Sequence, residues 1–219
     1  MSTVSKLEAR KPPIRIAVAW RGPSQIDGGP VRVVVYCLDG GSLNRKTGPM
    51  AQVLICRDDM QPYDAIKNGG DRSVCADCPL RPASGGGCYV NLGRYFPRVW
   101  EVSSKLPEDL ERACQAIRDS GLTLRLGSWG DPTAVPLDVI TALTEAAQGS
   151  ERRSRHTAYT SGWRGHVEYK DLAMASVMNE AEQTEAAAMG FRTFRLLTTE
   201  SSLLPGEIVC PAIADKDCR

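Results

Sequence analysis

Three cysteines fall within fourteen residues, Cys75-Ala-Asp-Cys78-Pro and then Cys88-Tyr-Val-Asn, and two more, Cys210-Pro and Cys218, lie near the end of the chain. A Cys-x-x-Cys turn lets two thiolates reach one ion from a single bend, and Pro79 fixes how the chain leaves that bend. A third ligand at Cys88 and a fourth from Cys210 or Cys218 would tie distant parts of the chain to one centre. The expectation is a metal site made from Cys75, Cys78, Cys88, Cys210 and Cys218. Zinc would take four thiolates as a closed structural site, whereas an iron–sulfur cluster would take three or four and could leave one iron open. Cys37, Cys56 and Cys114 sit in apolar stretches and read as core thiols.

Metal is favoured over disulfides because the first residues, Met1-Ser-Thr-Val-Ser-Lys-Leu-Glu-Ala-Arg-Lys, have no apolar signal core. No run of about 18 apolar residues occurs, so no membrane span is expected. The expected location is the cytoplasm, with thiols reduced. A net charge of +1, from 27 basic and 26 acidic residues, implies no general attraction to nucleic acid. Any DNA contact would be local, and the best candidate is Arg152, Arg153 and Arg155, helped by Arg94, Arg98 and Arg164. The plainer reading of that run is a solvated turn after a helix.

The 219 residues, 42% of them hydrophobic, suffice for one packed unit. Organisation changes near residue 105. Before it, Ile14 to Trp20, Val31 to Leu38 and Ala51 to Cys56 are rich in Val and Ile between Gly- and Pro-containing turns, predicting a small N-terminal antiparallel β lobe over residues 1–104. Residues 57 to 100 read as a largely irregular, cysteine-rich segment that metal ligation would order.

Residues 105–219 alternate helix and strand. Helices are expected at Pro107 to Ser120, Pro136 to Ala147 and Glu180 to Met189. Strands are expected at Leu122 to Leu126, His156 to Thr160, Leu172 to Val177, Phe191 to Leu197 and Glu207 to Cys210. The predicted class is therefore α/β, with parallel β/α units in an open sheet or an incomplete β/α barrel, joined to the N-terminal lobe by the metal site.

Functional groups in such folds collect at the carboxyl ends of the strands. That rule selects Gly127-Ser-Trp129-Gly-Asp131-Pro132 and the stretch from His156 through Tyr159 to His166. Trp129 and Asp131 could contact a ligand, and Asp131, His156, Tyr159 and Cys210, which ends the final strand at the same edge, could face one cleft. Each has a plainer alternative: Asp131 as a turn cap, His156 as a hydrogen-bonded core imidazole, Trp129 and Trp163 as packing residues. The loop Ser42 to Pro49 contains Lys-Thr-Gly without the Gly-rich lead of a phosphate loop and reads as a basic hairpin tip.

Several segments together carry a resemblance. They are Ser-x-Asn-x-Lys-Thr-Gly-x-Met (Ser42 to Met50), Cys-x-Asp-Cys-Pro with Cys-Tyr-Val-Asn, Leu-Gly-Ser-Trp-Gly-Asp-Pro-x-Ala-Val-Pro, Tyr-Thr-x-x-Trp, Met-Ala-Ser-Val, Gly-Phe-Arg-x-Phe-Arg and Cys-Pro-Ala. From about residue 42 onward the chain resembles a phage and plasmid family sometimes labelled rolling-circle-replication-endonuclease-like. The β/α alternation with its cysteines is also similar to iron–sulfur proteins with a partial barrel of the radical-enzyme type. The first resemblance implies action on DNA in a host cytoplasm, with Tyr159 as nucleophile and His156 and Asp131 orienting it or a divalent ion. The second implies an iron–sulfur enzyme acting on a small molecule near Trp129 and Asp131. A non-catalytic, zinc-stapled binding module is the third possibility. Two departures stand against these patterns: the His-hydrophobe-His motif of nicking enzymes and the Cys-x-x-x-Cys-x-x-Cys spacing of radical enzymes are both missing.

Overall fold

The computed structural model describes residues 16–42, 48–93, 95–147, 155–197 and 201–210. Strands β1 (Ile16–Pro23), β2 (Pro30–Tyr36) and β3 (Ala51–Arg57) form where the Val- and Ile-rich runs predict them, and pair antiparallel in sequence order. All of β3 up to Cys56 and all of β2 after Pro30 are buried, so both faces need cover and β3 needs a partner on its second edge. β4 (Leu124–Trp129) supplies it in parallel, and β5 (His156–Thr157) follows in parallel on β4. The N-terminal strands are therefore not a separate lobe. They are three strands of one mixed five-stranded sheet, ordered β1-β2-β3-β4-β5.

Strands β6 (Tyr159–Thr160), β7 (Met174–Val177) and β8 (Thr193–Arg195) form a second sheet, wholly parallel. The expected single strand from His156 to Thr160 thus serves two sheets. His156 and Thr157 pair with β4, Tyr159 and Thr160 pair with β7, and Ala158 between them turns the chain from one to the other. No barrel closes among the described residues. The expected strand at Glu207 to Cys210 does not form either: β-branched Ile208 and Val209 favour extended backbone, but Ile208 is 83% exposed and has no neighbouring strand to pair with.

Helices α1 (Pro62–Asn68), α2 (Arg72–Cys75) and α3 (Phe96–Ser103) interrupt the largely irregular stretch expected between 57 and 100, most of whose described residues lie outside helices and strands. They cover the sheet face that carries Arg32 and Tyr36. Phe96 meets the Tyr36 ring edge-on at 6.4 Å, and the Arg32 guanidinium lies 4.7 Å above Trp100. The Trp100 indole N–H donates to the Arg57 carbonyl at 2.9 Å. Helix α4 (Leu110–Ser120) starts three residues later than predicted, because the Asp109 side chain caps it by accepting from the Arg112 amide. It packs on β1 and on α5 (Leu137–Ala146), burying Ala113, Cys114 and Ile117.

The main core runs without a break from Ala17 to Ala173, across the expected boundary at residue 105. A smaller cluster, Trp163, Ala175, Val177, Ala186 and Phe191, lies between the second sheet and α6 (Glu180–Ala188). Among the described residues no helix is long and apolar enough to cross a membrane.

Candidate metal centre and ligand face

The parallel strands β4 to β8 all end at one edge, and the predicted loops lie there. The register between β3 and β4 jumps: Gln52 faces Arg125, yet Leu54 faces Trp129, so β4 carries three residues where β3 carries one. The surplus bulges at Gly127 and Gly130, both at positive φ. A Cβ at Gly130 would stand 2.3 Å from the Ile55 carbonyl oxygen, and one at Gly127 would stand 2.4 Å from the Gly130 carbonyl oxygen, so neither position admits a side chain.

The bulge delivers Asp131 into the interior, where it is 6% exposed. One carboxylate oxygen, Oδ1, accepts from the Thr133 amide (3.0 Å), the Thr133 hydroxyl (2.8 Å) and the Thr160 hydroxyl (2.7 Å). The other accepts from the Ser161 amide at 2.6 Å. Asp131 therefore caps the short turn Pro132–Ala134 and ties the end of β4 to the end of β6. The turn-capping alternative describes its bonds well, and the carboxylate is fully engaged.

The cysteine loop joins this edge through the Asp131 amide, which donates to the Val74 carbonyl at 2.5 Å. Helix α2 ends at Cys75, and the Cys78 amide returns to the Cys75 carbonyl at 3.1 Å, closing the turn. Ala76 within it holds φ 50° and ψ −138°, a strained conformation for a residue with a side chain. A buried ion pair holds the loop. Arg81 forks onto Asp71 at 2.7 and 3.0 Å and donates further to the Ala76 and Gly69 carbonyls. Arg81 is 7% exposed and Asp71 1%. Gly86 packs its backbone on Pro79 and Leu80, where a Cβ would meet the Pro79 carbonyl oxygen at 2.2 Å. The loop is thus ordered by its own side chains, a staple that sequence reasoning assigned to metal alone.

Burial pushes the Cys75 thiol well above the ordinary cysteine range, and the neighbouring Asp71, Cys78, Asp131 and Cys88 push in the same direction. Cys88 is raised first by burial and further by Cys78 and Asp71, against a lowering backbone hydrogen bond from Val90. Cys75, Cys78 and Cys88 therefore share one electrostatic neighbourhood. Among the described residues, however, no three His, Cys, Asp or Glu side chains converge on a point in a way that could hold a metal ion. Cys210 is partly exposed and is not among the groups acting on Cys75 or Cys88, and Cys218 lies outside the described residues. Cys56 and Cys114 are buried as expected, burial raising the Cys56 thiol to about 12, whereas Cys37, also expected in the core, is only partly buried against it.

His156, Tyr159 and Asp131 do not form one constellation. The His156 Nε2 lies 2.8 Å from the Leu172 carbonyl and donates to it; burial holds the imidazole below its usual range, hence neutral. Strand alternation turns Thr160 toward Asp131 and Tyr159 to the opposite face, where its ring sits 4.8 Å from Phe194. Trp129 and Trp163 are 3% and 1% exposed, and the Trp163 indole donates to the Ser176 carbonyl. Both are packing residues, so the expected ligand contact at Trp129 is corrected. Of the basic candidates, Arg98 is paired with Glu101 and Arg164 with Glu185, while Arg155 is exposed; Arg94, Arg152 and Arg153 lie outside the described residues. Two shallow hollows, beside Asp109 on α4 and beside Asp58 near β1, contain none of the predicted site residues.

Beyond β8, Arg195 anchors the returning segment by donating to Glu207 at 2.6 and 2.7 Å and to the Ser202 carbonyl at 2.7 Å. The Arg195 hydrogen bond, helped by the Leu204 amide, lowers the Glu207 carboxyl from 4.5 to about 2. A carboxyl depressed on folding contributes stability above its unfolded value and loses it as pH falls toward its folded one. The protection factor of the Leu204 amide, whose N–H donates to Glu207, is therefore expected to fall between pH 4.5 and about 2, relative to the intrinsic exchange rate at each pH, while protection in β2 and β3 holds. A Leu204 protection factor that stays constant across that interval would count against the anchor.

Arg125, which none of the sequence motifs contains, is a lone charge between the buried Leu124 and Leu126 of β4. Comparison of the chain with family models, curated proteins and solved structures found no match.

Proposed function

We propose that this is a metal protein in which Cys75, Cys78 and Cys88 bind an iron–sulfur cluster, or zinc as the second choice, at the carboxyl edge of the parallel strands. The observation that supports it is the availability of donors. The three thiols act on one another, while the two buried acids beside them are engaged elsewhere, Asp71 by Arg81 and Asp131 by four hydrogen bonds, and the third acid, Asp77, faces solvent beside Arg72. Three thiolates leave a position for Cys210, Cys218 or a small molecule.

The raised thiols are neutral at pH 7, so uptake of metal must release protons and strengthen as pH rises. A bound cluster would supply a redox couple; zinc would supply a Lewis acid. The chain's own part is to bring Cys88 toward the Cys75 to Cys78 turn, which the Arg81–Asp71 pair holds ready, and to shield the centre against the Asp131 loop. Action on DNA, which the sequence resemblance implies, enters this reading only through a local contact, because Arg98, Arg118, Arg164 and Arg195 each face a carboxylate.

Anaerobic purification and reconstitution, with metal and sulfide analysis, tests the centre. Stoichiometric metal is expected in the parent protein and in Cys37→Ser, and its loss in Cys75→Ser, Cys78→Ser and Cys88→Ser. Visible charge-transfer absorbance with sulfide would identify a cluster, and colourless stoichiometric zinc the second choice. A parent protein that takes up neither, or a triple serine variant that keeps its metal, would overturn the proposal.

A further inference from the structure

The sheet face that carries Arg125 changes character along its width. Tyr36, Gln52, Arg125 and Thr157 stand side by side in register across β2, β3, β4 and β5. Helix α3 covers the Tyr36 end, through Phe96. From Arg125 onward the cover stops. Leu124, Leu126, Ala158, Thr160, Ala175 and Val177 are buried on one side, whereas Arg125, Thr157, Tyr159, Met174, Ser176 and Phe194 on the other all remain half-exposed.

A face of this kind is ordinarily either solvated and polar or packed. This one is neither. Its centre is a half-buried guanidinium that, among the described residues, has no hydrogen-bond or ion-pair partner, unlike Arg57, Arg81, Arg98, Arg164 and Arg195. An arginine held partly out of water without an acid favours an anion that can take its planar fork. Thr157, the neighbour of Arg125 in register, is followed two residues on by Tyr159, whose ring forms a tilted pair with Phe194.

We propose that this open half-face binds a nucleotide-like ligand, a planar heterocycle carrying an anionic group, with the anion on Arg125 and the ring against the Tyr159 and Phe194 pair. The charge selects an anion. The aromatic side chains select a flat partner, since ring stacking tolerates many heterocycles and needs no matched hydrogen bonds. Arg125, Tyr159 and Phe194 all stand on strands, so the site does not depend on metal being bound.

Calorimetric titration of the full chain tests it with adenosine monophosphate, adenosine, inorganic phosphate and a single-stranded thymidine oligonucleotide as separate probes. The monophosphate is expected to bind more tightly than adenosine or phosphate alone. Arg125→Gln is expected to weaken the monophosphate by about ten- to a hundredfold while leaving adenosine unchanged, the scale of one charge-assisted contact. Arg125→Lys should keep part of the affinity, and Tyr159→Leu should weaken both adenosine-containing probes. Thermal melting of each variant reports whether the fold is intact. If the oligonucleotide binds through Arg125 and displaces the monophosphate, the same chemistry comes from a polymer and the assignment stands. If neither nucleotide probe binds, or Arg125→Gln titrates like the parent, the site is wrong.

Discussion

Asp131→Ala is expected to lower the unfolding free energy by about 3–5 kcal/mol, because it leaves several buried donors without an acceptor at once. The Thr133 amide and hydroxyl, the Thr160 hydroxyl and the Ser161 amide all converge on this carboxylate. Thr133 and Thr160 are 0% and 1% exposed, so water cannot replace the lost oxygen without opening the edge. Asp131→Asn separates geometry from charge. It can retain the three bonds to Oδ1, but it sets an amide donor against the Ser161 N–H, and an intermediate loss is expected. Denaturant unfolding of the two variants checks the order. A parent-like midpoint for Asp131→Ala would show that the hydrogen bonds are dispensable and would return the carboxylate to the list of groups available for chemistry.

That result bears on how much could be read before the fold was known. The rule that parallel strands deliver function at their carboxyl ends pointed to one edge, and Asp131, Tyr159 and the Gly127 to Pro132 loop do lie at it. It could not say that Asp131 would be engaged on every side, since its partners at 160 and 161 lie on another strand. Strands β2 and β3 were legible because their Val and Ile runs are buried on nearly every residue, and β1 because Ala17, Val18 and Ala19 are. Helices α1, α2 and α3 were not, because pieces of seven, four and eight residues are too short for a helical period to stand out against glycine and proline. The stretch from His156 to Thr160 shows another kind of failure. Its alternation is continuous, and only the change of pairing partner at Ala158 divides it, which is a fact about β4 and β7 rather than about the segment. Ile208 and Val209 carry strand propensity to a place where no partner waits, and propensity alone did not decide the outcome.

The staple of the cysteine loop was the least legible feature and yields the second large expectation. Arg81→Met should cost about 3–5 kcal/mol, because it leaves Asp71, 1% exposed, as a buried charge with no counterion. The bonds from Arg81 to the Ala76 and Gly69 carbonyls go with it, so the turn that presents Cys75 and Cys78 loses its frame. Pairing the change with Asp71→Leu should recover most of the stability, since a buried ion pair replaced by apolar side chains of similar volume is often near neutral. The double-mutant cycle isolates the pair. Metal adds a further handle: a centre bound by Cys75, Cys78 and Cys88 would cross-link the same loop, so the Arg81→Met penalty should shrink in metal-loaded protein. A penalty below about 1 kcal/mol, the usual worth of an exposed pair, would mean that the loop is held by something other than Arg81 and Asp71. A full penalty that metal leaves unchanged would mean that the ion pair and the thiols order different parts of the loop, and the three cysteines would then have to be brought together by a motion that this frame does not guide.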